Sequence, residues 1–88
     1  MTKSLYTTRY DQFRHLLIEA RKQSGLTQVD LAKRLSRPQS FVSKFERGER
    51  RLDVIEFLDI AEALKIDACQ FLSKVAAQPQ RRKKKATE

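Results

Sequence analysis

The chain has 88 residues, enough for one domain with a modest core and too few for two. It carries 19 Lys and Arg against 11 Asp and Glu, a formal net charge of +8, with one cysteine, Cys69, and one histidine, His15. No run approaches the roughly 18 apolar residues of a bilayer span, and Cys69 alone excludes an internal disulfide or a zinc site of about four ligands, so no metal or cofactor is expected.

Met1–Arg9 lacks the basic-then-apolar layout of a secretory leader, so a cytoplasmic protein is expected, with residues 1–8 as a flexible lead-in. Thr8 with Asp11 marks the start of a first helix, spanning about 9–24 and ending at Gly25, a residue that adopts a left-handed closing turn without steric cost. Phe13, Leu16, Leu17 and Ala20 recur along it at helical spacing. Thr27 and Asp30 then form a capping-box pattern, stapled by Leu26 and Leu31, and open a second helix of about 27–35 with Leu31, Ala32 and Leu35 inward. After Ser36, Arg37 and Pro38, a third helix of about 38–47 turns Val42 and Phe45 inward and stops at Gly48. Asp53 and Glu56, stapled by Leu52 and Phe57, open a fourth helix of about 54–64, with Ile55, Leu58, Ala61 and Leu64 as its apolar stripe. Asp67 and Gln70, stapled by Ile66 and Phe71, open a fifth of about 68–76. The expectation is an all-α, compact five-helix domain over 9–76, followed by a disordered basic tail over 77–88.

The charge is unevenly spread. Lys33–Arg51 holds seven basic residues and two acids, a local +5, and the tail Gln78–Glu88 adds five basic residues and one acid. Asp53–Asp67 holds five acids and one lysine, a local −4. One stretch is suited to an anion and the next is not.

The second and third helices are short and joined by about three residues, so they must cross steeply, as in a helix-turn-helix. Over Arg21–Leu72 the chain resembles the lambda-repressor-like, Cro/repressor (XRE) family of helix-turn-helix domains. The matching residues are Arg21, Lys22, Gln23, Ser24, Gly25, Leu26, Thr27 and Gln28, then Leu31 and Ala32. They continue through the run Gln39–Gly48 and close with Ile60–Leu64. The resemblance implies a third helix that enters the major groove of double-stranded DNA, and a homodimer on a palindromic operator, as a transcriptional regulator and most simply a repressor. It also implies roles by position. Gln39, Ser40, Ser43 and Lys44 match base-reading positions, and their chemistry suits it: a Gln amide pairs with adenine N6 and N7, Lys donates to guanine, and serine hydroxyls serve either. Thr27 and Gln28, at the second helix's start, match residues that grip a phosphate, which a helix N-terminus favours. Arg37, Arg47, Arg50 and Arg51 are expected on phosphates at the groove's edge. Arg21 and Glu46 match a structural ion pair between the first and third helices. Phe71, Leu72 and Val75 are the expected dimer interface.

Two places depart from the family's pattern. The turn carries Ser36 and Arg37 where glycine and an apolar residue are usual, and Pro38 replaces the usual Ser or Thr cap. Proline is favoured at the first helical position, so the third helix is expected one residue early, with Arg37 as N-cap or Ser36 and Gln39 as capping box. Phe41 either packs at the domain edge or meets a thymine methyl or a sugar. Rival functions stay in view. His15 has no serine or cysteine nucleophile placed beside it and no Gly-rich phosphate loop is present, so catalysis is not expected. An antitoxin, partnered by a toxin or another protein while binding its own operator, is the alternative reading. The tail Arg81–Lys85 would add a sequence-independent grip on nucleic acid or anionic membrane, or serve only as a solvated tail.

Overall fold

The structure, a computed structural model, describes residues 8–77. Among them are five helices and no strand: α1 Arg9–Gln23, α2 Gln28–Leu35, α3 Gln39–Glu46, α4 Val54–Leu64 and α5 Ala68–Ala77. The expectations of a flexible start and a disordered basic tail otherwise fall on residues outside the described ones. Their inner ends, Thr8 and Ala77, are described: Thr8 caps α1 and Ala77 is the last residue of α5.

Four of the five helix starts have the side-chain acceptor that the sequence suggests. Thr8 Oγ1 accepts from the Asp11 N–H at 3.0 Å, and Asp67 Oδ1 from the Gln70 N–H at 3.0 Å. Thr27 with Asp30, and Asp53 with Glu56, form reciprocal capping boxes. The exception is α3. Pro38 is its N-cap, not its first residue, and no side chain caps it. The expected early start fails because Ser36 is committed elsewhere, closing α2 in a left-handed conformation with φ of 56°.

That closure is one of four of the same kind. Gly25, Ser36, Gly48 and Lys65 all have positive φ, and the residue after each donates back to a carbonyl five residues earlier. The bonds are Leu26 to Arg21, Arg37 to Ala32, Glu49 to Lys44 and Ile66 to Ala61, at 2.9–3.3 Å. Only the two glycines were legible as stops. Ser36 and Lys65 adopt the same conformation despite their Cβ, which costs on the order of 1 kcal/mol each.

The core draws on every helix: Leu17 from α1, Leu31 and Ala32 from α2, Phe41, Val42 and Phe45 from α3, Phe57, Ile60, Ala61 and Leu64 from α4, and Phe71 and Val75 from α5. Phe13, Phe57 and Phe71 meet ring to ring with centroids 5.4–5.8 Å apart, tying α1, α4 and α5 together. Two expectations are corrected here. Ile55 and Leu58 are 64% and 44% exposed, so they are not core. The α4 stripe runs through Phe57, Ile60, Ala61 and Leu64 because Phe57, the largest side chain on the helix, takes the inward place. Likewise Phe71 and Val75 are buried within the single chain and are not available as a dimer surface; of the three expected interface residues, Leu72 alone is exposed. No helix of the described residues is long and apolar enough to cross a membrane.

Candidate nucleic-acid interface

Helix α3 divides cleanly in two. Phe41, Val42, Phe45 and Glu46 are buried, while Gln39, Ser40 and Lys44 are exposed and Ser43 is half-buried beside them. The second set recurs at one, four and five residues from Gln39, which is one face of a helix. Its side chains are all polar and none is acidic. The acid of α3, Glu46, faces the other way.

Glu46 is the buried hub of the site. Arg21 grips it with a fork, Nε to Oε2 at 2.7 Å and Nη2 to Oε1 at 3.1 Å, and Arg21 Nη1 also donates to the Leu26 carbonyl. Arg14 donates from Nη1 to the Glu46 backbone carbonyl, satisfying an acceptor that the C-terminal end of α3 would otherwise expose. The charge of Glu46 is thus spent holding α3 to α1.

A third ligand of Glu46 links this anchor to the outer face. Gln28 Nε2 donates to Glu46 Oε1 at 2.9 Å, and Gln39 Nε2 reaches Gln28 Oε1 at 3.4 Å. The structure therefore brings Gln28, expected on a phosphate, together with Gln39, expected on a base. Thr27 is exposed, but its hydroxyl oxygen and its N–H are both engaged with Asp30. The Thr27 N–H first, and the Thr27 hydroxyl beside it second, hold the Asp30 carboxyl below its ordinary range.

The four arginines expected on phosphates surround α3, and each has a partner. Arg47 forks onto Glu49, with both side chains more than half exposed. That bond lowers the Glu49 pKa and raises that of Arg47. Arg51 lies over the Tyr10 ring at 4.3 Å, and the Tyr10 hydroxyl accepts from the Leu52 N–H at 3.2 Å. Arg37 and Arg50 both lie over the Phe41 ring, at 4.3 and 5.0 Å from its centroid, and both reach Glu56. Phe41 itself is 8% exposed, which favours the packing role for it.

Sequence reasoning missed four members of this arrangement: Arg14, Tyr10, Glu49 and Glu56. Glu56 was legible as a capping residue, but nothing in helical spacing places it against arginines on a different loop. Arg14 carried one usable signal, its position on α1 two turns before Arg21, on the same side of the helix.

A helix-turn-helix family model matches residues 17–71. Among solved structures, an XRE-family like protein from Pseudomonas syringae pv. tomato str. DC3000 is 55% identical, with 78% of this chain and 84% of that one covered and a TM-score of 0.76. The restriction-modification controller protein C.Esp1396I has the same fold, at 22% identity and a TM-score of 0.69 over 84% of this chain and 93% of its own. A point mutant of it bound to its highest affinity operator site aligns at 23% identity with a TM-score of 0.67, again over 84% and 93%. Comparison with curated proteins gives no match.

Proposed function

This chain belongs to the XRE-like helix-turn-helix family, and from that premise we propose that it is a small transcriptional regulator, most simply a repressor, that binds double-stranded DNA at a defined operator. The reading puts α3 in the major groove, with Gln39, Ser40, Ser43 and Lys44 toward base edges. The observation that carries it is the polarity of α3: one face polar and without acids, the other buried and locked by Glu46. A face of that width, on a helix held from behind on both α1 and α2, suits groove insertion better than it suits a peptide or a small ligand.

The family relation also supports a homodimer on two half-sites about one DNA turn, ~34 Å, apart. Leu72 is the remaining surface candidate among the interface residues named from the sequence. The cytoplasm, and the nucleoid when bound to DNA, is the compartment that this function requires. Selection of bound sites from random duplex DNA tests the proposal. An enriched palindromic motif is expected; equal retention of all sequences would sink it. Mass measurement with and without the selected duplex tests the dimer, and one protomer per palindrome would refute that part.

A further inference from the structure

Arg37, in the turn between α2 and α3, and Arg50, in the loop between α3 and α4, converge on one carboxylate. Glu56 Oε1 and Oε2 accept from Arg50 Nη1 and Nη2 at 2.8 and 2.7 Å, the two-pronged geometry that a phosphate would otherwise occupy. Arg50 Nη1 also donates to the Arg51 carbonyl at 2.8 Å, so three of the guanidinium's five N–H groups are engaged within the protein. Arg37 Nη2 stands 3.5 Å from the same Glu56 Oε2. Beneath both lies the Phe41 ring, whose face attracts either cation. Two positive charges and one negative charge are therefore held over one aromatic ring. The pair does not open by protonation near neutrality, because the Arg50 fork, followed by the Asp53 N–H, keeps the Glu56 carboxyl at about 2.

We propose that Glu56 moderates the DNA interface by withholding the Arg50 fork from phosphate while fixing Arg37 and Arg50 against Phe41. The inference rests on the DNA-binding reading above. It changes the expectation for Arg50, which does not present its fork to the backbone of DNA while Glu56 remains charged. Glu56 acts through the arginines and touches no base.

Counterion release makes this measurable, since each phosphate neutralised steepens the dependence of log K on log salt by about 0.9. The experiment measures binding to the selected operator and to a random duplex across a salt series, for the native chain, Glu56→Gln, Arg50→Ala and the double variant. Glutamine keeps an acceptor for the Asp53 N–H while losing the charge. The expected result is that Glu56→Gln steepens the slope by about 0.9 on both duplexes, reflecting one more phosphate contact, and tightens binding at low salt. Arg50→Ala alone should leave the slope near native, and in the Glu56→Gln background it should remove the gain. An unchanged or shallower slope for folded Glu56→Gln overturns the inference. So does a loss of about 0.9 in slope for Arg50→Ala alone, a measurement that stands even if Glu56→Gln folds poorly. Failure of the native chain to bind any duplex would instead overturn the DNA reading, and this inference with it.

Discussion

Gln28 donates its side-chain amide to Glu46 across 2.9 Å, and this single bond decides which way Gln28 faces. An ionised carboxylate only accepts, so the Gln28 nitrogen must point inward and its oxygen outward. The oxygen then accepts from Gln39 Nε2 at 3.4 Å. Gln39 keeps one amide hydrogen and its oxygen for the base contact proposed above, a donor beside an acceptor. That pair matches the N7 acceptor and N6 donor of adenine.

Replacing Gln39 or Lys44 by alanine should therefore relax preference at one base pair each, by roughly 1–3 kcal/mol. Gln28→Ala should relax the Gln39 position as well, by about 1 kcal/mol, and should be non-additive with Gln39→Ala. Arg51→Ala should weaken all sequences alike and flatten the salt slope by about one. Competition between the selected duplex and single-base variants checks these outcomes; equal losses on cognate and random DNA from Gln39→Ala would contradict the assignment.

Glu46→Ala should be among the most destabilising changes, by about 3 kcal/mol, because it strands the partly buried Arg21 charge. Removing Arg21 together with Glu46 should cost less than removing Glu46 alone. Urea unfolding of both variants decides it. A double variant less stable than Glu46→Ala would show that Arg21 helps the fold through its bond to the Leu26 carbonyl more than through the ion pair.

The four left-handed helix ends respond to glycine and alanine in opposite senses. Lys65→Gly and Ser36→Gly should each raise stability, by up to about 1 kcal/mol, by relieving the Cβ strain. Gly25→Ala should lower it modestly, since an added Cβ meets nothing within 4 Å. Gly48→Ala should lower it further, since the Cβ would lie 3.3 Å from Arg14 Nε, whose side chain also holds the end of α3. Thermal unfolding should rank Gly48→Ala below Gly25→Ala.

Acid should unfold the protein partly through Glu56. Its carboxyl is at about 2 in the fold against an ordinary 4.5, so its contribution is complete above about 4.5 and is lost as pH falls toward 2. Asp30 and Glu49 are lowered too and act in the same sense. Glu56→Gln should reduce the slope of stability against pH below 4.5 without abolishing it. An identical acid limb in native and variant chains would remove Glu56 from the account.

Local signals were strong enough to place every helix within two residues: caps and staples, written in residues three to five apart, mark four of the starts, and Pro38 and Gly48 bracket α3. They failed where a residue's role is set from elsewhere. Pro38 could be read as a first helical residue until Ser36 was found closing α2. Lys65 carries no mark of a left-handed residue, yet the turn into Ile66 imposes one. Ile55 and Leu58 have the right period for a core stripe, and the aromatic contacts of Phe57 rotate the helix away from them. The outward face of α3 followed from family resemblance and from period together. The acids that partner the arginines, Glu49 and Glu56, did not follow from either, since a pair two residues apart past a helix end and a pair between a loop and a helix leave no helical period.

Helix α3 spans eight residues, has no side-chain cap and no acid in its first turn. A segment that short is not helical on its own in water. It persists because Val42 and Phe45 are buried and because Arg14 and Arg21 hold its last residue from α1. The polar face of α3 has no existence apart from the whole domain, so if it is the reading surface proposed above, the folded fraction and the binding-competent fraction are one population. Apparent affinity for DNA should then fall in proportion to that fraction once heat or mutation brings unfolding into range, even for substitutions far from the groove.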